Sequence, residues 1–371
     1  MRSARSTRLN VWPPLPPSIY AGRRRGARPF PLEDRRCRLY SLGRHALFQG
    51  VRAAGLSTGD EILVPAYHHG SEVEALVRAG LTCRFYAGTA GLAPDAEELD
   101  ALVGPRTRAL LLIHYLGLPQ DAARWREWCR LRGLVFVEDA AQAWLARTAD
   151  GPVGSFGDVA VFCLYKTYGL PDGAALVAPN AAGNSRPRRP LGLGLLTRRH
   201  VAWVRSRVPL ERKGSTRVAP PTGATPDQDF ALGDPALGPA GTTVAALRLV
   251  GGDDPAAQRR ENYQRLRDSL DELVPAPFRE LPNGASPFVF PVATVAKPEV
   301  LGSLAAAGIH AFDFWSVPHP SLPVKEFPEA QALRREVIGL PVHQELRPVD
   351  LDRIVAGVRA AGPKRGSWAG G

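Results

Sequence analysis

GDEILVPAYHHGSEVEALVRAGLTCRFY, residues Gly59–Tyr86, reads as a strand, a helix and a second strand. EILVPAY is a short apolar run stopped at Pro65. SEVEALVRAGL opens on Ser71, a helix-capping residue type, and carries apolar residues at helical spacing; TCRFYA is again strand-like. A continuous apolar strand on either side of an amphipathic helix is the signature of a parallel sheet covered on both faces, because each crossover lays a helix against the sheet.

The same alternation extends in both directions. HALFQGVRAAGL precedes the stretch and is stopped by Ser57, Thr58 and Gly59. Beyond it, DAEELDALVG leads to RALLLIHYLG, and DAARWREWCRLRG to LVFVEDAA. Residues 1–34 read as an N-terminal arm and 35–250 as a large α/β domain. Within the latter, 178–240 is an irregular Arg/Pro/Gly-rich excursion with a helix expected near TRRHVAWVRSRV. A long helix in DPAAQRRENYQRLRDSLDEL then opens a small C-terminal α+β domain, 251–371, with strand-like PFVFPVATV and helix-like PEVLGSLAAAG and PVDLDRIVAGVRAA. No internal repeat is present.

Composition narrows the class. The 371 residues are 44% hydrophobic and 22% charged, an ordinary globular balance, and no apolar run approaches the roughly 20 residues a membrane helix needs. The N-terminus has arginines and prolines where a secretory signal needs an unbroken apolar core, so a cytoplasmic protein that does not engage a membrane is expected. Cys37, Cys83, Cys129 and Cys163 show neither paired nor metal-ligand spacing and read as reduced thiols, with no metal site. The net charge of +11 is local: residues 1–44 carry 11 arginines against two acids, and residues 186–217 carry nine arginines and Lys213 against Glu211. These segments lack interleaved aromatics for base stacking and match no nucleic-acid module, so they are read as solvated arms rather than as a nucleic-acid interface.

In open parallel sheets ligands sit beyond the carboxyl ends of the strands, and four places qualify. In YSLGRHALF, Gly43 precedes a helix and can bring backbone N–H groups close to an anion, although helix-entry turns of this kind are common. In VPAYHHGSE, His68 and His69 point apart and lack a third metal ligand, which leaves one imidazole to stack on a flat ligand and the other to pack. In LVFVEDAAQAWLA, Asp139 ends a buried strand, where a carboxylate needs a cationic or hydrogen-bonding partner or serves as a turn cap; Gln142 follows at i+3. In SFGDVAVFCLYKT, Lys166 emerges at a strand end, where an amine can act as a Schiff-base nucleophile or remain a solvated surface charge.

In sequence and in order, Gly59–Tyr86, LLIHYLGLPQD, FVEDAAQAWLA and VGSFGDVAVFCLYKT resemble the DegT/StrS family of pyridoxal-phosphate-dependent sugar aminotransferases over roughly Tyr40–Val177. The likeness returns faintly in RRENYQRLRDSL and VIGLPVHQELRPVDLDRIV. The resemblance implies the type I aminotransferase fold, a homodimer, and pyridoxal 5′-phosphate (PLP) as cofactor. It implies that Asp139 holds the pyridine nitrogen, that Gln142 lies beside the ring and that His69 stands where the family stacks an aromatic ring. Gly43 and Arg44 fall on the phosphate-binding step, where Arg44 departs from the usual threonine, and Cys163 replaces a phosphate-contacting serine. The Schiff-base lysine falls on Tyr168 when no gap is allowed, and on Lys166 if the chain rearranges by two residues. In HAFDFWSVPHP, Trp315 and His319 resemble substrate contacts, with Phe312 and Phe314 either beside them or in the core. The Gly-Tyr-Asn-Tyr-Arg-like segment of the family is missing from 178–240. The expectation is therefore an aminotransferase acting on a keto sugar or related small carbonyl compound. The alternatives are an eliminating or cyclising PLP enzyme, and, with Tyr168 in the lysine's place, an inactive homologue acting as a binding protein.

Overall fold

The apolar runs form the strands and the amphipathic runs between them the helices, in a computed structural model that describes residues 7–20, 27–179, 190–208, 230–251 and 254–364. The strands are β1 (Leu9–Asn10), β2 (Cys37–Tyr40), β3 (Glu61–Pro65), β4 (Thr82–Tyr86), β5 (Thr107–Ile113), β6 (Val135–Asp139), β7 (Val159–Cys163), β8 (Ala174–Val177), β9 (Val289–Ala293), β10 (Ile309–His310), β11 (Phe312–Asp313) and β12 (Val337–Pro341). The helices are α1 (Gly43–Ala53), α2 (Ser71–Arg78), α3 (Ala96–Leu102), α4 (Ala122–Arg132), α5 (Tyr165–Tyr168), α6 (Leu193–Arg207), α7 (Gly241–Leu247), α8 (Pro255–Leu270), α9 (Lys297–Ala306), α10 (Pro328–Glu336) and α11 (Pro348–Ala361).

Seven strands make the central sheet, in the order β2-β8-β7-β6-β5-β3-β4. Pairing is parallel throughout β4-β3-β5-β6-β7, and β8 is antiparallel to both its neighbours. Every residue of β3, β7 and β8 is buried, as their apolar character requires; the exception in kind is Glu61 at the start of β3, which pairs with Arg84 and Arg106. Helix boundaries follow local chemistry. Asp95 accepts from the N–H groups of Glu97 and Glu98 to start α3, Asp254 caps α8 just before Pro255, and Gly133 ends α4 in the left-handed conformation. The expected Ser71 cap is not formed: Glu72 accepts from the N–H groups of His69 and Gly70 instead, and Ser71 turns its hydroxyl to His69.

The last third builds a three-stranded antiparallel sheet, β11-β12-β9, beside α9 and α11. The helix expected in the Arg-rich excursion is present as α6; the remainder of that basic segment, 186–189 and 209–217, lies outside the described residues. The N-terminal stretch is not a free arm where it is described. Leu9–Asn10 pairs in parallel with Ile309–His310, and Leu9, Val11 and Leu15 are buried. Four prolines that forbid a helix still allow an extended strap.

Candidate active site

The carboxyl ends of β5, β6 and β7 open onto a cavity of about 520 Å³. Ile113, Asp139 and Cys163, the last residues of those three strands, line it, and so do Gly43, Arg44, His69, Gln142 and Lys166. Every cofactor-binding residue inferred from the sequence thus faces one space.

Lys166 reaches it through a single turn. After Cys163 the chain coils into α5, four residues long, and Gly169 ends the turn at φ 64°. A side chain at 169 would strike the carbonyl oxygen of Pro13, so the N-terminal strap closes directly over this turn. Residues two apart on a helix point about 200° from each other. Lys166 accordingly lines the cavity, with Nζ 5.4 Å from the centre of the Phe288 ring, while Tyr168 packs edge-on against Trp144 at 5.2 Å and is not among the lining residues.

Asp139 is half-buried at the cavity floor, and Oδ1 accepts from the Ala141 N–H at 2.8 Å. Burial, reinforced by the negative charge of Glu72, raises its pKa to about 6. Its neighbour Glu138 faces the other way, as alternation along a strand dictates. Fully buried, Glu138 pairs with Nε2 of His114 at 3.1 Å and accepts from the N–H groups of Gly154, Phe156 and Gly157, pinning the loop that precedes β7. Gln142 has its carbonyl committed to the Leu116 N–H at 2.8 Å, so the polar group left on its amide is the NH₂ donor.

Of the two adjacent histidines only His69 lines the cavity. Its Nδ1 lies 3.1 Å from the Ser71 hydroxyl, and the ring stands edge-on to Phe230 and Trp315. The Glu72 carboxyl, pushed up by burial, is drawn to a net low pKa by His69, His68 and the backbone N–H groups it accepts from. His68 is buried, bonded to the Pro65 carbonyl and stacked on Phe85, with its pKa depressed to about 4 by burial. Gly43 starts α1, an eleven-residue helix with no acid in its first turn. A Cβ there would lie 2.8 Å from Cys163 Sγ, so helix and strand meet at a distance only glycine permits. Burial raises the Cys163 thiol pKa. Arg44 donates to the Ala231 carbonyl at 2.9 Å.

On the opposite wall, Phe312, Asp313, Trp315 and Ser316 line the cavity. Trp315 packs 4.9 Å from the Tyr67 ring, and its carbonyl accepts from Arg334 at 2.8 Å. Phe314 is wholly buried and belongs to the core. His319 is not among the lining residues; its two ring nitrogens meet Ser321 at 2.8 Å and Glu74 at 3.1 Å. Sequence reasoning missed four aromatic residues of the wall, Trp12, Tyr165, Phe230 and Phe288. Trp12, on the N-terminal strap, lies 5.2 Å from Phe288, 5.8 Å from Tyr165 and 6.0 Å from Phe312. No metal-ligating cluster occurs among the described residues.

Residues 34–182 match the model of the DegT/DnrJ/EryC1/StrS aminotransferase family. A UDP-N-acetyl-3-dehydro-alpha-D-glucosamine 3-aminotransferase of Acidithiobacillus ferrooxidans is 33% identical over 171 residues, 43% of this chain and 43% of that protein. The chain thus spans less than half the length of that relative. The dTDP-3-amino-3,4,6-trideoxy-alpha-D-glucose transaminase of Streptomyces venezuelae is 28% identical over 342 residues, 85% of this chain and 80% of the relative. Among solved structures, DesV of S. venezuelae superposes with a TM-score of 0.63 at 24% identity, covering 88% of this chain and 85% of its own. The aminotransferase PseC of Helicobacter pylori superposes with 0.65 at 16% identity, covering 96% and 99%. The chain has the type I aminotransferase fold of these neighbours, and over residues 34–182 it is similar to the DegT/DnrJ/EryC1/StrS aminotransferase family.

Proposed function

We propose that the protein is a PLP-dependent aminotransferase that transfers an amino group from an amino acid to a keto sugar or related small carbonyl compound in a biosynthetic pathway. The observation that carries this reading is the convergence of Lys166, Asp139, Gln142, His69, Gly43, Arg44 and Cys163 on one cavity.

The residues present fit the cofactor. A carboxylate whose pKa is raised to about 6 by burial and by a neighbouring acid is stabilised by a cation, and a protonated ring nitrogen held at Asp139 is such a cation. The acid-free start of α1, the close approach at Gly43 and the charge of Arg44 suit a phosphate. A volume of about 520 Å³ admits the ring, its phosphate and a small substrate.

PLP supplies, when bound, an electron sink for the carbanion formed at the substrate carbon. The chain supplies the rest. Lys166 would hold the cofactor through its Nζ amine and, when that amine is free, would take up and return the substrate proton there. Asp139 would hold the protonated ring nitrogen. The NH₂ of Gln142 would be available as a donor to the bound group, and the His69 imidazole, bonded to Ser71, would give it a flat wall. Trp12, Phe288, Phe312 and Trp315 exclude water around the lysine and give apolar faces for the substrate to lie on. A homodimeric assembly and a cytoplasmic location belong to the same reading; among the described residues no helix is long and apolar enough to cross a membrane.

With Tyr168 packed on Trp144, the coiled turn favours Lys166 as the amine and the enzyme over an inactive homologue. The test is spectroscopic. PLP should give the purified protein a visible absorbance band that glutamate or glutamine bleaches, leaving the amine form of the cofactor and a keto acid. Release of ammonia or water instead would indicate elimination, and no band at all would refute the aminotransferase reading.

A further inference from the structure

The turn that carries Lys166 cannot hold itself in place. It is four residues long and stops at Gly169, so the carbonyls of Lys166 and Thr167 have no N–H partner four residues on. Both are met by one side chain from a distant helix. Arg259, on α8, is 1% exposed; its Nη2 donates to the Lys166 carbonyl at 3.0 Å and to the Thr167 carbonyl at 2.9 Å. Its Nη1 donates to the Pro287 carbonyl at 3.1 Å, and its Nε to Oε1 of Gln344 at 2.9 Å. Gln344 closes the network, donating from Nε2 to the Thr167 carbonyl at 2.9 Å.

A guanidinium this deeply buried is costly. Burial pulls its pKa down to about 10, and among the described residues no carboxylate forms an ion pair with it. Ordinary packing could be served by an aliphatic side chain. What a planar fork with five donors supplies is simultaneous contact with several carbonyl oxygens in fixed geometry. Here those oxygens belong to the lysine itself, to the residue after it and to Pro287, which immediately precedes Phe288, the ring that Lys166 Nζ approaches. The cation also sits at the carbonyl end of the turn, where a positive charge is favoured.

We propose that Arg259 is a positioning residue: by clamping the backbone of the lysine turn to the backbone before Phe288, it aims Lys166 Nζ into the cavity. This rests on Lys166 being the PLP-binding amine. It assigns to Arg259 no contact with cofactor or substrate; it is not among the lining residues of the cavity.

The test measures how fast the full-length protein acquires a borohydride-stable PLP adduct on Lys166, by peptide mass spectrometry, in wild type, Arg259→Met, Arg259→Lys and Gln344→Ala. Folded fraction is measured in parallel by near-UV circular dichroism and thermal melting. Arg259→Met should label about tenfold more slowly or worse at equal folded fraction, since three backbone carbonyls, two of them in the lysine turn, lose a charged donor. Arg259→Lys should recover part of the rate, and Gln344→Ala should fall in between. The proposal is overturned if folded Arg259→Met labels at the wild-type rate, or if its loss merely tracks unfolding and lysine restores nothing. Should Arg259→Met fail to fold, wild-type rates in both other variants overturn it. Absence of label from wild-type Lys166 is a separate outcome: it refutes the lysine assignment itself, and the positioning role with it.

Discussion

Asn in place of Asp139 should make the cofactor-free protein more stable while weakening its hold on PLP. The carboxyl pKa stands at about 6 in the folded chain against an ordinary 3.8, because burial and Glu72 both oppose its charge. A rise of that size corresponds to about 3 kcal/mol. The native state then binds more protons than the unfolded state between about pH 4 and pH 6, so stability falls as pH rises through that window and stays reduced above it. Asparagine carries no charge at any pH, and its carbonyl oxygen can still accept from the Ala141 N–H. Asp139→Asn should therefore exceed wild type by up to about 3 kcal/mol at pH 7.5, with the difference vanishing near pH 4. Urea denaturation of the PLP-free proteins at a series of pH values measures it, since contributions from unaltered groups cancel between the two. Added PLP should reverse the order, raising the melting temperature of wild type more than that of the variant. A difference that is constant from pH 4 to 8, or an asparagine variant less stable at pH 7.5, would refute the electrostatic argument.

Two further substitutions probe the walls. Gly43→Ala places a Cβ 2.8 Å from Cys163 Sγ and should cost about 1–3 kcal/mol. Adding Cys163→Ala removes the sulfur and should return much of that loss, so strict additivity in the double-mutant cycle would contradict the close approach of helix and strand. Trp12→Ala removes an indole that touches three aromatic neighbours and should lower stability by about 2 kcal/mol, with Trp12→Phe retaining much of it. Unchanged urea midpoints would mean that the strap does not pack over the lysine turn.

The sheet was legible because its parallel strands are short, largely apolar runs between amphipathic helices; Asp139 followed from its place at a strand end, and Cys163 from the family resemblance alone. Lys166 against Tyr168 was not decidable by counting along the chain. Two residues advance an extended strand by about 6.6 Å, but they advance a helical turn by about 3 Å and rotate the side chain by about 200°. Nothing local in YKTY announces that turn; Gly169 ends it and Arg259 holds it from α8. Arg259 itself reads as one more arginine in the polar helix QRRENYQRLRD. Trp12 lies in a proline-rich stretch that looks like a detached arm, and Phe288 sits at a strand start where aromatic residues ordinarily mean core. The place of His319 was not legible either, because Glu74, from a helix 245 residues earlier, bonds its ring.

The central claim is that the cofactor is bound covalently at one amine, Lys166 Nζ. Borohydride reduction of the PLP-loaded protein, followed by peptide mapping, tests it most directly. The label should appear on the peptide containing Lys166, be absent from Lys166→Ala, and persist in Lys325→Ala, which removes an exposed lysine outside the cavity lining. Label on any other residue, or undiminished label in Lys166→Ala, would contradict it.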